Sequence, residues 1–269
     1  MIKQADANIQ GNNYITQWCF SEDRMTKIEV VPYDSRWPEM FEAERKMLEP
    51  VLTEIYHIGS TSVPGLPSKP KIDIIAVAKD LNEAMVELEN IGYSYKGEWN
   101  IPLQAGFIKR ANIDVNLHVF FDSNHPEIEL NLRFRDYLSI HPEVCDQYAA
   151  IKKEILQDES SQEKINGFPL YTIRKRDFID GIIKTIGYNR LRVLKSITDK
   201  ERDFIKNYQD EYEYFILYKG ADIIGYASVF NESMFEYYTP DEESLEYLLD
   251  VMGKRGTFLT DKTLVLKSR

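Results

Sequence analysis

The chain of 269 residues carries 33 Lys and Arg against 44 Asp and Glu, which gives a net charge of −11, and 43% of its residues are apolar. This apolar content can fill one large core or two modest ones. The acidic balance argues against an extended nucleic-acid surface. Cys19 and Cys145 offer neither a disulfide framework nor zinc-ligand spacing.

The N-terminal sequence "MIKQADANIQG" has neither the basic start nor the apolar stretch of a secretory signal. No uncharged apolar run approaches the roughly 20 residues that span a bilayer. We therefore expect a cytoplasmic protein without membrane contact.

The order of predicted elements divides the chain into three parts. Residues 1–27 show no sustained hydrophobic period and are interpreted as an N-terminal arm. Residues 28–187 alternate between strand and helix patterns, and the last helix is predicted to end at Gly187. Residues 190–269 restart with strand, helix, three strands, helix and strand, which predicts a second, small α/β domain.

A Gly-Ser turn joins two predicted strands in residues 55–77, "IYHIGSTSVPGLPSKPKIDIIAV". Because Gly59 has no side chain, a phosphate can approach the backbone, and the amide and hydroxyl of Ser60 can donate hydrogen bonds to it. Asp73 is an acid within the following apolar strand. A carboxylate beside such a turn suits Mg²⁺ bound to a triphosphate.

Strand alternation predicts which side chains share a face. In "KIDIIAV" it separates Asp73 from the apolar Ile72 and Ile74, and in "NIDVNLHVFF" it separates Asp114 and His118 from the apolar residues. If the strands share a sheet, both acids and the imidazole can line one cleft. The alternative is that the acids are hydrogen-bonded structural groups and that His118 is a core residue.

Basic residues supply a second indication of anion binding. Lys69 and Lys71 lie beside the Gly-Ser turn, and "LRFRDYL" would place Arg133 and Arg135 on one face if it were extended. Solvated surface charge is the alternative interpretation.

Six motifs follow one another over about residues 28–187, namely "VVPYDSRWPEMFEAE", "IYHIGSTSVPGLPSKPKIDIIAV", "GYSYKGEWNIP", "LHVF", "LRFRDYLSIHPEVCDQYAAIKKEI" and "YTIRKRDFI". Together they resemble the GrpB family. The family is similar in fold to the nucleotidyltransferase superfamily, so the resemblance implies an α+β fold with a mixed sheet flanked by helices.

By position, the resemblance assigns Gly59 and Ser60 to the superfamily's turn and Asp73 to one of two paired acids. The partner position holds Lys71 or Ile75, neither of which binds Mg²⁺. Asp114 can replace the acid of the later strand. The family commonly reads His-Leu-His there, whereas this chain reads Asn-Leu-His and keeps only His118.

The segment "YEYFILYKGADIIGYASVF" resembles the central hairpin of GNAT acyltransferases, but the glycines of "GKRGTF" follow a helix instead of opening one. Residues 190–269 are therefore predicted to be a small GNAT-like module that is structural or binds a protein partner or a second copy of the chain.

The leading hypothesis is a nucleotidyltransferase-like protein that binds a nucleotide or phosphorylated small molecule with Mg²⁺. The alternatives are a binding module without catalysis and a degenerate acetyltransferase, so enzymatic activity is left open. The predicted metal ligands are Asp73 and Asp114, with His118 as a third catalytic residue. The predicted phosphate-binding residues are Gly59, Ser60, Lys69, Lys71, Arg133 and Arg135.

Overall fold

The computed structural model describes residues 27–165 and 167–266, so the predicted N-terminal arm lies outside these ranges except for its last residue. The first half contains helices α1 Trp37–Leu48, α2 Leu81–Asn90, α3 Pro126–Ile140, α4 Pro142–Ile155, α5 Leu170–Ile173 and α6 Arg176–Thr185. Its strands are β1 Thr53–Ile58, β2 Lys71–Val77, β3 Ser94–Tyr95, β4 Gln104–Arg110, β5 Asp114–Phe120, β6 Lys164–Ile165 and β7 Phe168–Pro169.

Strands β1 to β5 form one mixed sheet in the order β1-β2-β5-β4-β3, and β6 and β7 form a separate pair. Strands β2 and β5 are parallel, and Asp73 lies opposite Asn116 in their register. Ile72, Ile74 and Leu117 point to the face that packs against α1 and α2. The side chains of Asp73 and Asn116 consequently lie on the other face of the sheet.

The second half contains β8 Leu191–Lys195, α7 Asp199–Phe204, β9 Glu213–Lys219, β10 Asp222–Phe230, β11 Ser233–Tyr238, α8 Glu242–Lys254 and β12 Phe258–Leu266. These strands form a separate sheet in the order β12-β11-β10-β9-β8, in which β11 and β12 are parallel. Leu248 and Met252 of α8 are fully buried in its core. The predicted α+β fold class is confirmed.

Two buried ion pairs connect the halves. Arg192 of β8 lies 3.0 Å from Glu127 of α3, and Arg255 lies 2.8 Å from Glu98, with every one of the four side chains at most 7% exposed. The backbone amide of Lys195 also donates to the carbonyl of Asn100 at 2.8 Å. The division near residue 188 stays a prediction, because contacts across it do not show whether either part folds alone.

No described helix is long and apolar enough to cross a membrane.

Candidate functional site

A cavity of about 500 Å³ opens over the polar face of β2 and β5. Asp73 lines it from β2, Asn116 and His118 line it from β5, and Ser60 lines it from the turn after β1. The structure therefore brings Ser60, Asp73 and His118 together. Parallel pairing of β2 with β5 causes this, because it aligns the polar sides of two alternating sequences.

Lysine side chains dominate the lining of this cavity, which we call the lysine cavity. Asp73 is the single carboxylate among its described lining residues. The cavity is thus strongly cationic although the chain carries a net charge of −11. A ligand with several adjacent negative charges suits this lining best. The lysines are Lys69, Lys71, Lys96, Lys152, Lys164 and Lys175.

The turn at Gly59 lies directly against Asp73. Gly59 has a φ of 71°, and a Cβ built on it would lie only 2.7 Å from Oδ2 of Asp73. The hydroxyl of Ser62 donates to the carbonyl of Gly59 at 2.6 Å and closes the turn. Glycine is therefore required both for the backbone conformation and for the close approach of the acid.

Lys152 of α4 connects this turn to a distant helix. Its Nζ donates to Oγ of Ser60 at 2.8 Å and to the carbonyl of Pro67 at 2.9 Å, and the residue is 1% exposed. The ammonium group also lies 4.4 Å from the ring centre of Tyr148. The hydroxyl of Ser60 is thus held in place by Lys152 and by a hydrogen bond with the side chain of Tyr148.

Two further lysines flank one aromatic ring. The Nζ atoms of Lys69 and Lys175 lie 4.5 and 4.6 Å from the ring centre of Tyr171. Cation–π attraction stabilises two ammonium groups that would otherwise repel each other. The arrangement places both amino groups on one ring at the wall of the lysine cavity.

The pKa values of three of these lysines are depressed. Burial, followed by the charges of Lys175 and Lys71, lowers the pKa of Lys69 to about 7. Burial, followed by Lys175 and Lys69, lowers the pKa of Lys152 to about 7. Burial lowers the pKa of Lys175 to about 8. Burial and mutual repulsion make the charged form of these lysines unfavourable, and a bound anion would stabilise that charged form.

These shifts predict a rise in stability with pH. Between about pH 7 and pH 9 the unfolded chain keeps its lysines protonated while the folded chain releases protons, so the free energy of unfolding increases. Denaturant titrations across this range should show the increase, and Lys152→Met should reduce it. Flat or falling stability would contradict the depressed pKa values of Lys69, Lys152 and Lys175.

His118 and Trp99 also line the lysine cavity. Their rings meet edge to face with centroids 4.6 Å apart, and burial lowers the pKa of His118 to about 4. Trp99 packs on Gly106, where an added Cβ would lie 2.4 Å from the indole ring. At neutral pH His118 is therefore uncharged and adds no positive charge.

Asp114, Arg133 and Arg135 are not among the described residues that line the lysine cavity, although Asp114 lies opposite Lys71 in the register of β2 and β5. Asp114 pairs with Arg110 at 3.4 Å and is 40% exposed. Arg133 pairs with Glu129, and Arg135 donates to the carbonyl of His57 at 3.0 Å. The segment of both arginines is helix α3 and not an extended strand, so the expected arginine fork on one face does not form.

A Mg²⁺ site needs several oxygen ligands, usually carboxylates, close together. Among the described residues, no group of three or more His, Cys, Asp or Glu side chains is arranged to hold a metal ion. Oδ1 of Asp73 accepts a hydrogen bond from Asn116 at 2.9 Å. These residues do not fit a two-metal centre. Binding of Mg²⁺ together with ligand phosphates stays a prediction.

Replacing Gly59 by alanine should destabilise the fold by about 1–3 kcal/mol, because the new Cβ meets Asp73 in a left-handed backbone conformation. Gly65→Ala is the matched control, since Gly65 has a φ of 80° but nothing within 4 Å of the added Cβ. Urea denaturation of both variants isolates the contact with Asp73. Equal losses would show that this contact costs nothing.

The chain belongs to the GrpB family, whose profile, described as GrpB protein, matches residues 27–185, more than half of the sequence. Every described residue that lines the lysine cavity falls within this range. The family prediction is therefore confirmed.

Three relatives illustrate the likeness. A UPF0157 protein of Halalkalibacterium halodurans is 37% identical over 142 residues, which are 50% of this chain and 72% of that protein. The Glutamate-rich protein GrpB of Alkalihalophilus pseudofirmus is 25% identical over 169 residues, which are 58% of this chain and 94% of that protein. The crystal structure of conserved protein GrpB from Enterococcus faecalis aligns with a TM-score of 0.50 at 31% identity and covers 59% of this chain and 96% of that chain.

Sequence reasoning missed Lys152, although a signal was present. Cys145, Tyr148 and Lys152 are spaced as i, i+3 and i+7, which places the lysine on the buried side of α4. Lys96 and Trp99 lie between β3 and β4, where no periodic pattern predicts which way a side chain points.

Proposed function

We propose that the chain binds a nucleotide or another small molecule with consecutive phosphates in the lysine cavity. The observation that carries the proposal is the convergence of six lysines and one carboxylate on a cavity of about 500 Å³. A triphosphate carries about four negative charges and needs several cationic partners when it leaves water.

The walls of the cavity also suit a nucleoside. Trp99 and Phe168 line it and offer aromatic surface on which any nucleobase can stack. Its volume lies within the usual range of about 300–1,000 Å³ for small-molecule sites. A cytoplasmic location, where such ligands are abundant, belongs to the same proposal.

Nucleotidyl transfer goes beyond this binding proposal and stays a prediction. The same holds for the acetyltransferase likeness of residues 190–269 and for a protein partner or a second copy bound there. In that segment the half-buried Tyr212 packs against the exposed Phe235 and Phe230, with ring centres 5.0 Å and 5.4 Å apart, and the three residues form an aromatic cluster.

Isothermal titration calorimetry with inorganic triphosphate, ATP and AMP tests the proposal. In EDTA we expect triphosphate and ATP to bind at one site, and AMP at least about tenfold more weakly because it engages fewer lysines. Equal binding of AMP and ATP, or no binding of triphosphate, would overturn the proposal. Repeating the titrations with Mg²⁺ tests the predicted cofactor.

Asp73→Asn should strengthen triphosphate binding in EDTA by about tenfold, because it removes the carboxylate that repels the ligand. The side chain keeps its shape and can still accept a hydrogen bond from Asn116. The same variant titrated with ATP and Mg²⁺ separates two roles. Loss of a Mg²⁺-dependent gain in affinity would identify Asp73 as a metal ligand, whereas weaker binding in EDTA would contradict a purely electrostatic role.

A further inference from the structure

A second cavity, of about 340 Å³, adjoins the lysine cavity. Both cavities are lined by Ser60, Asp73 and Lys175, so these residues form a shared wall. We call the second cavity the apolar chamber because its walls are mainly aliphatic and aromatic. They include Leu130 and Phe134 of α3, Ile179 and Ile183 of α6, and Leu194 and Ile197 from the second half of the chain.

The charged groups of the apolar chamber are close to balance. Arg192 pairs with Glu127 at 3.0 Å, and Arg176 pairs with Asp180 at 3.3 Å, although Nη2 of each arginine has no hydrogen-bond partner among the described residues. Lys175 is the one lysine among the described residues that line the chamber, against six in the lysine cavity. An anion is therefore attracted less strongly there than in the lysine cavity, whereas an uncharged apolar group is stabilised by leaving water.

The position of the chamber depends on both halves of the chain. Leu194 and Ile197 follow residue 185, where the GrpB match ends, and Arg192 is anchored by Glu127 and by the carbonyl of Gly220. The second half thus closes a space that the first half leaves open between α3 and α6.

We propose that the apolar chamber binds a second ligand, an uncharged and predominantly apolar small molecule with one polar group directed at the shared wall. A dry cavity of about 150 Å³ holds one benzene ring, so about 340 Å³ accommodates a molecule of two rings. The position of this ligand beside a polyanion rests on the proposed function, whereas its binding in the chamber does not.

Prodan, 6-propionyl-2-(dimethylamino)naphthalene, is a suitable probe, because it is uncharged, has two fused rings and one carbonyl group, and changes its fluorescence in apolar surroundings. We expect one saturable site per chain. Ile179→Trp and Leu194→Trp each fill the chamber and should weaken the probe at least about tenfold while changing the Kd of inorganic triphosphate less than about twofold. Two variants on different elements guard against misfolding of one, which circular dichroism would reveal.

Phe235→Ser is the matched control, because it disrupts the aromatic cluster of Tyr212, Phe230 and Phe235, an exposed apolar surface that could also attract the probe. Its probe affinity should equal that of the unmodified chain. The inference is wrong if the probe does not bind, if both tryptophan variants bind it normally, or if Phe235→Ser abolishes binding. Normal probe behaviour without triphosphate binding would leave the chamber intact and overturn the proposed function alone.

Discussion

Replacing Lys69 and Lys152 together by methionine is expected to weaken the binding of inorganic triphosphate about a thousandfold, since each charge-assisted hydrogen bond contributes about 2 kcal/mol. Methionine keeps most of the apolar stem of lysine, so the packing of the stems is largely retained, while the ammonium groups above Tyr171 and Tyr148 are removed. Calorimetric titration in EDTA measures the loss.

Lys46→Met with Lys79→Met is the matched control, because both residues are exposed and neither lines the lysine cavity. It removes the same net charge and should change the Kd less than about threefold. Similar losses in both double variants would mean that triphosphate responds to overall charge and not to the cavity. Retained binding in the Lys69 and Lys152 variant would remove the basis of the proposed function.

Glu127→Gln is expected to lower the free energy of unfolding by about 3–5 kcal/mol, because it leaves the buried guanidinium of Arg192 without its anion. Arg192 is 3% exposed and cannot turn to solvent for compensation. Since the pair joins α3 to β8, the loss should affect both halves. Urea denaturation followed by circular dichroism measures the change.

Asp250→Asn provides the comparison with an exposed ion pair. Asp250 and Lys254 lie 2.7 Å apart on α8, but their side chains are 54% and 59% exposed. Such pairs contribute about 0.5 kcal/mol or less. If Glu127→Gln cost no more than Asp250→Asn, the buried pair would not stabilise the junction between the halves.

The polar face of β2 and β5 was predictable because alternation is a local property. Asp73 and His118 each stand between apolar neighbours, and the residues on the other side of these strands are buried. The sequence pattern left open whether the two strands share a sheet, and their parallel pairing in the structure places both side chains at one cavity. The Gly-Ser turn was predictable for the same reason, since its glycine requirement is encoded in two adjacent residues.

Helix α3 shows how a short pattern can mislead. In "LRFRDYL" the arginines alternate with apolar residues as they would in a strand. Leu130, Phe134 and Leu138, spaced four apart, form the apolar side of a helix instead. A window of seven residues fits both periods, and packing against the neighbouring helices decides between them.

The lysine cavity itself was only partly predictable. Lys69 and Lys71 adjoin the turn in sequence, whereas Lys152 and Lys175 come from α4 and from the residue before α6. Their convergence depends on how these helices pack over the sheet, which no local pattern specifies. Asp114 was predicted to lie at the same cleft because it shares the polar face of β5. It is instead the first residue of that strand and pairs with Arg110.

A cationic cavity within a chain of net charge −11 has a consequence for the rates of binding. At about 10 mM salt the Debye length is about 30 Å, so an approaching polyanion is repelled by the acidic exterior before it reaches the lysines. At about 150 mM the length falls to about 8 Å and this barrier is screened. Added salt is therefore expected to quicken entry over this range while it shortens the residence time of the bound anion.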